Sequence, residues 1–257
     1  MYQIDSQKKN EIQDTNVQLR LYARDLSSII SNLRLANQNL KKAYQDTVLR
    51  LAMAAEFRDL DTGDHIVRIG RYCALLAEKA GLDKVFAELI LYASPMHDLG
   101  KIGIPDSILL KNGALTQSEK VIMRAHPTIG ARILGGSDSE ILQMAHEIAL
   151  THHEQWDGNG YPYGLAGKDI PIAGRIAAIV DVFDALTSRR PYKEPFSVDE
   201  SVRIMTTEMP THFDPDLLQT FVAHVNEFVL IREAVEAEQI ENVSRDSLFG
   251  KIADLKE

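Results

Sequence analysis

The chain has 257 residues, of which 45% are hydrophobic and 25% are charged, a composition typical of a soluble globular protein with one substantial core. Its formal net charge of -9 argues against binding along DNA, which requires a basic surface. The single cysteine excludes an internal disulfide, and neither a membrane span nor a signal peptide is recognisable, so we expect a cytoplasmic protein without membrane insertion.

The first predicted element is a long helix, because no Pro or Gly interrupts residues 1–62. Apolar side chains recur along it every seven residues and again at an offset of three: Ile12, Leu19, Leu26, Leu33 and Leu40, with Tyr22, Ile29, Ala36 and Ala43. This heptad pattern predicts a parallel coiled-coil homodimer through residues 1–50. The alternative is an amphipathic helix folded back on the core.

The rest of the chain is also predicted to be helical, since no useful length of strand alternation occurs. The predicted helices cover residues 65–81, 84–98, 117–134, 139–154, 173–189, 197–209 and 214–238. Loops are expected at 99–118, 135–138, 155–173 and 188–197. The pattern predicts an all-α domain over residues 51–230, followed by a peripheral helix and polar tail over 231–257.

Histidine and carboxylate side chains accompany these predicted helices. They are His65, His97, Asp98, His126, His152, His153, Asp181 and Asp184. A lone histidine on a helix is usually a solvated or hydrogen-bonded side chain, but the combined set suits Fe, Mn, Zn or Ni. It exceeds what one tetrahedral metal can bind. We therefore predict at least two metals that share a bridging carboxylate.

Three stretches resemble the motifs of one enzyme family: HDLGKIGIPDSIL, HHEQWDGNGYP and DVFDALTSRRPYK. They are similar to the HD-GYP branch of the HD-domain phosphohydrolases, and the resemblance extends from about Arg58 to Pro215. It implies an HD-domain helical bundle with extra C-terminal helices after the long N-terminal helix. It also implies hydrolysis of cyclic di-GMP to pGpG, with GMP as a further product left open, through a hydroxide that bridges the metals.

Two alternatives to this function stay open. One is hydrolysis of another cyclic dinucleotide, such as cyclic GMP-AMP, because guanine selectivity cannot be read from the motifs. The other is a receptor that binds a cyclic dinucleotide without hydrolysing it.

The resemblance also assigns the metal ligands. They are His65, His97, Asp98, His126, His152, His153 and Asp181. Asp98 is the expected bridge between two metals. Asp61 stands where some members of the family have a Glu that binds a third metal, so two or three divalent ions, Fe or Mn, are expected.

Other motif residues are expected to act on substrate. Lys101 would contact a phosphate or protonate the leaving oxygen, with a salt bridge as its alternative role. Tyr161, Arg190 and Lys193 would contact the dinucleotide, and Asp184 would lie beside them as an orienter of a ligand or a water.

The glycine-rich turn after the paired histidines is expected to shape the substrate pocket, because Gly158 and Gly160 permit backbone angles that a side chain forbids and Pro162 stiffens the exit. By resemblance, this loop would also contact partner proteins with a GGDEF domain.

Overall fold

In a computed structural model of the chain, residues 2–56, 58, 64–188 and 194–238 are described, without the side chains of residues 2–14 and 56. Ten α-helices lie in these ranges: α1 (Tyr2–Glu56), α2 (Asp64–Lys79), α3 (Lys84–Ala93), α4 (Asp106–Leu109), α5 (Gln117–Met123), α6 (His126–Leu134), α7 (Glu140–Thr151), α8 (Ile172–Thr187), α9 (Val198–Arg203) and α10 (Pro215–Ala223). A further helical segment covers 225–238. The described residues contain no strand beyond an isolated bridge between Asp157 and Ala166, which confirms the all-α prediction.

The chain divides into two units, Met1–Thr47 and Val48–Glu257. Within the first unit, the heptad leucines described on α1 are exposed to solvent: Leu19, Leu26, Leu33 and Leu40. The coiled coil stays a prediction, because the structure contains one copy of the chain. No helix among the described residues has the length and apolar character needed to cross a membrane.

The core of the second unit is built around an aromatic cluster. Tyr72 of α2 and Phe183 of α8 pack with ring centroids 5.9 Å apart, and Phe221 of α10 lies 4.9 Å from Phe183. Phe228 closes the cluster, 5.4 Å from Tyr72. All four rings are fully buried, so this cluster fixes α2 and α8, both of which carry predicted ligands.

Two prolines divide helices that the sequence predicts as continuous. The helix predicted over 84–98 ends at Ala93, and a 3-10 turn containing Pro95 follows it. The helix predicted over 117–134 separates into α5 and α6 at Pro127. A proline lacks a backbone N–H and clashes with the carbonyl four residues earlier, which for Pro127 is that of Met123, the last residue of α5.

The C-terminal prediction is described only in part. Residues 231–238 are helical, in agreement with the predicted helix, whereas the rest of the predicted tail lies outside the described residues.

Candidate metal centre

Five segments of the fold carry the predicted ligands that the structure describes. His65 lies in the first turn of α2, His126 is the first residue of α6, and Asp181 lies on α8. His97 and Asp98 lie between two 3-10 turns, Ser94–Met96 and Leu99–Gly103, rather than within an α-helix. His152 and His153 follow the last residue of α7.

A close backbone contact brings the Asp98 turn against α6. The backbone of Gly100 packs on the carbonyl of His126 and the amide of Gly130, and a Cβ atom at Gly100 would collide with both. The glycine in HDLGK is therefore required because it lets Asp98 approach His126.

The ligand atoms form two neighbouring groups that could each hold a metal ion. The first, which we name the Asp98 group, contains Asp98, His126, His152 and His153. The second, the His65 group, contains His65, His97 and Asp181. Within each group, the ligand atoms all lie within 4.8 Å of one another.

Asp98 presents one carboxylate oxygen to each group. Its Oδ1 lies 3.1 Å from Nε2 of His126 and 3.6 Å from Nε2 of His152. Its Oδ2 lies 3.4 Å from Nε2 of His97, which in turn is 3.9 Å from Oδ1 of Asp181. One carboxylate thus joins the two groups.

Hydrogen bonds from Nδ1 orient several of the imidazoles in the same way. Nδ1 of His97 lies 3.0 Å from the carbonyl oxygen of Ser94. Nδ1 of His126 lies 2.8 Å from the carbonyl oxygen of Met123, and Nδ1 of His152 lies 3.0 Å from that of Ala149. A carbonyl oxygen only accepts, so each Nδ1 carries the hydrogen, and in the neutral ring Nε2 is a lone-pair donor. Such outer hydrogen bonds are typical of metal-binding histidines.

These side chains fit divalent cations. The Nε2 atoms of His126 and His152 are 3.4 Å apart, so in the neutral rings two lone pairs face each other. Oδ1 of Asp98 is buried and receives no hydrogen bond from the described residues, because the neighbouring Nε2 atoms have no hydrogen to give. A cation among these atoms would lie between the facing lone pairs and would give the buried oxygen of Asp98 a partner.

The electrostatics of the Asp98 group favours the protonation states that metal binding needs. Burial lowers the pKa of His152, although Asp98 opposes this shift. Burial, together with His152 and His126, lowers the pKa of His153 well below its usual value. Burial alone would raise the pKa of Asp98, but the ammonium group of Lys101 holds it well below its ordinary value. Neutral imidazoles and an ionised carboxylate are the forms that bind a metal.

Asp184 lies behind His65 rather than on the open side of the site. It is almost fully buried, and its Oδ2 is 2.7 Å from Nδ1 of His65. Arg68 donates to both of its oxygens, at 2.6 and 2.9 Å, and Ser188 donates to Oδ2. With both oxygens engaged by His65, Arg68 and Ser188, Asp184 does not face a substrate. It lies where it can orient a ligand, His65, which is the orienting role expected from the sequence.

Burial by itself would lower the pKa of His65, but the hydrogen bond and charge of Asp184 raise it. Arg68 was not predicted as a site residue. Its only signal in the sequence is its position one helical turn after His65, which is too common a spacing to single it out.

Lys101 lies at the edge of the Asp98 group. Its Nζ is 2.8 Å from Oδ2 of Asp98, so the salt bridge considered as an alternative role is present. Arg58 anchors the backbone that follows Lys101. Its guanidinium donates to the backbone carbonyl of Ile102 and, at 3.3 Å, to that of Ile104. Lys101 therefore extends from an anchored turn.

The loop after the paired histidines is closed by Glu154, which, like Arg68, is not among the predicted site residues. Its buried carboxylate accepts the backbone N–H groups of Tyr163, at 2.8 Å, and Leu165, at 3.0 Å. Gly158 adopts a φ of 81°, and a Cβ atom on Gly160 would collide with the backbone of Glu154. Both glycines are thus needed for the loop to fold back on Glu154.

Tyr161 projects from this loop beside the Asp98 group. Its ring stacks on His153, with centroids 4.7 Å apart and an interplanar angle of 25°. Tyr161 thus lies beside the candidate metal centre, and its contact with the dinucleotide stays a prediction. Asp61, Arg190 and Lys193, the remaining predicted site residues, lie outside the described residues.

A model of the HD domain family matches residues 31–217. The chain belongs to the HD domain family. The His-Asp pair that gives the family its name is His97 and Asp98 in this HD domain, and it lies where the two ligand groups meet. The family prediction made from the sequence motifs is confirmed.

Named relatives of this HD domain act on cyclic dinucleotides. A cyclic di-GMP phosphodiesterase of Thermotoga maritima is 44% identical over 205 residues, which cover 78% of this chain and 56% of that protein. The 3'3'-cGAMP-specific phosphodiesterase 2 of Vibrio cholerae is 42% identical over 217 residues, which cover 84% of this chain and 41% of that protein. The chain thus spans about half the length of these relatives.

A solved structure of a cyclic GMP-AMP specific phosphodiesterase from V. cholerae has a TM-score of 0.55. It is 17% identical, and the match covers 75% of this chain and 53% of that one. At this identity the likeness concerns the fold alone, and it agrees with the helical arrangement described above.

Proposed function

We propose that this HD domain is a metal-dependent phosphodiesterase that hydrolyses cyclic di-GMP to pGpG. The observation that carries the proposal is the position of Asp98, with one oxygen toward each of two ligand groups. This is the arrangement expected of a carboxylate that bridges two cations. Several relatives that carry the name cyclic di-GMP phosphodiesterase, among them the one from Thermotoga maritima, support the choice of substrate.

The Asp98 group and the His65 group would hold the ions, for which we propose Fe or Mn because imidazole and carboxylate ligands suit both. Whether a third ion binds depends on Asp61. When bound, such ions lower the pKa of a coordinated water and neutralise charge on phosphoryl oxygens.

The protein's own residues position the diester. Asp184 and the backbone carbonyls orient the imidazoles, and the turn held by Arg58 presents Lys101 at the open edge. In the reaction, water loses a proton as its oxygen bonds to phosphorus, the bond from phosphorus to the 3′ oxygen breaks, and that oxygen receives a proton. Lys101, whose ammonium group lies 2.8 Å from Asp98, would supply this proton and would regain one from the proton that water loses.

A single-turnover assay tests this proposal. Protein prepared without oxygen and loaded with Fe(II) or Mn(II) is mixed with less than stoichiometric cyclic di-GMP, and the products are separated by chromatography. We expect pGpG to form first, with any GMP appearing later. Tight binding without turnover would instead identify a receptor.

The same assay with 3'3'-cyclic GMP-AMP tests the second candidate substrate, for which the 42% identical Vibrio cholerae relative is named. Faster turnover of this dinucleotide than of cyclic di-GMP would reassign the substrate.

We also propose two interactions. The exposed heptad leucines of α1 support a homodimer, since an apolar stripe of this length is stabilised by pairing. The loop that carries Tyr163, an exposed aromatic side chain, is the surface proposed to contact a GGDEF-domain protein.

A further inference from the structure

Arg124, which lies between α5 and α6, is exposed beside the candidate metal centre. Its guanidinium carbon is 4.9 Å from the centroid of the Tyr161 ring. The same ring stacks on His153 of the Asp98 group. A single aromatic side chain thus holds a positive charge at the edge of the metal site.

The environment of Arg124 differs from that of other arginines near the site. Arg58, Arg68 and Arg175 each pair with an aspartate. Within the described residues, no carboxylate pairs with the guanidinium of Arg124. A cation–π contact uses the face of the guanidinium and leaves N–H groups in its plane able to donate.

We propose that Arg124 and Tyr161 form a subsite for the second phosphodiester of a cyclic dinucleotide, the one that is not being hydrolysed. The proposal rests on the proposed function, because a cyclic dinucleotide places one phosphate at the cations and keeps a second negative charge nearby. In a protein with a net charge of -9, a cation at this edge of the metal centre would favour binding of that second charge. The planar fork of an arginine matches two phosphate oxygens.

A phosphate contact has a consequence for selectivity. Both phosphodiesters are common to cyclic di-GMP and cyclic GMP-AMP, so Arg124 would strengthen binding of the two ligands equally. The choice between guanine and adenine would then depend on other residues.

Equilibrium binding of bis-phosphorothioate analogues of these two dinucleotides to the metal-loaded protein tests the subsite. The variants are Arg124→Gln and Arg124→Lys, with Arg132→Gln as the matched control, because Arg132 is an exposed arginine on the adjoining helix α6. We expect Arg124→Gln to weaken both analogues roughly tenfold or more, the effect of losing a charge-assisted hydrogen bond. Arg124→Lys should recover part of the affinity, and Arg132→Gln should bind as the wild type does.

Unchanged affinity in Arg124→Gln would overturn the proposal, as would a wild-type protein that binds neither analogue. A loss confined to the cyclic di-GMP analogue would identify a guanine contact and would also overturn it. Hydrolysis by the wild type is measured separately. Binding that depends on Arg124 without hydrolysis would refute the proposed function but not the subsite, and hydrolysis with normal Arg124→Gln affinity would refute only the subsite.

Discussion

The side chains behind the ligands determine how each imidazole is presented. Backbone carbonyls of Ser94, Met123 and Ala149 fix the protonated nitrogen in three histidines, whereas His65 relies on Asp184. Asp184 differs from the carbonyls because it is charged, buried and itself held by Arg68. The His65 group therefore depends on a buried ion pair.

Replacing Asp184 by Ala should destabilise the fold and weaken metal binding together. The change leaves Arg68 and His65 buried without their charged partner, which typically costs about 3–5 kcal/mol in the free energy of unfolding. Loss of an outer-shell partner of a metal ligand typically weakens metal affinity about 10–100-fold. Urea unfolding and a competition titration with a metal chelator measure the two effects.

The control for Asp184→Ala is Arg203→Gln, which breaks a solvent-exposed pair with Glu200 and Glu208. Exposed pairs contribute less than about 1 kcal/mol, so this variant should resemble the wild type. If Asp184→Ala were equally stable and bound metal equally well, Asp184 would have no orienting role.

Short irregular elements, rather than long helices, place most of the ligands. Pro127 separates α5 from α6, and the Met123 carbonyl at the end of α5 accepts from Nδ1 of His126. The break that the proline causes thus supplies the group that orients the histidine. The loop after α7 is organised in a similar way, by the carboxylate of Glu154.

Replacing Glu154 by Ala should loosen the loop that carries Tyr161. The backbone amides of Tyr163 and Leu165 would lose a charged acceptor, and hydrogen bonds to charged groups contribute about 1.5–3 kcal/mol each. We expect hydrogen exchange at these two amides to accelerate by roughly tenfold or more, because local opening becomes easier. Exchange measured by mass spectrometry or NMR reports on this directly.

Lys168→Gln is the matched control for Glu154→Ala, since Lys168 is an exposed residue of the same loop. Its exchange pattern should be that of the wild type. Equal protection of Tyr163 in Glu154→Ala would show that other contacts close the loop.

The sequence is sufficient to predict the helical class and the set of ligand candidates, because both follow from patterns along the chain. Helical periodicity and the His and Asp motifs are local signals. Arg68 and Glu154 could not be identified in this way, since their partners, Asp184 and the Tyr163 amide, are determined by tertiary contacts. The division of the ligands into two groups could not be predicted from the sequence either, because it depends on how five segments pack.

At the scale of the whole molecule, the heptad pattern predicts that α1 pairs two chains. The double variant Leu26→Asp/Leu33→Asp places charges in the predicted apolar seam and should convert the dimer to a monomer. Light scattering at micromolar concentration measures the mass. The control Ser31→Asp/Gln38→Asp adds the same charge at exposed polar positions and should remain dimeric. A monomeric wild type, or a dimeric seam variant, would exclude this interface.

The central claim is that five separate segments converge to hold at least two divalent cations joined by Asp98. The most direct test is elemental analysis of protein purified without oxygen, with wild type, Asp98→Ala and the control His224→Ala compared at equal helical content by circular dichroism. We predict at least two ions per chain in the wild type and in the control, and loss of the ions in Asp98→Ala. One ion or none in the folded wild-type chain, or full metal content in Asp98→Ala, would contradict the account.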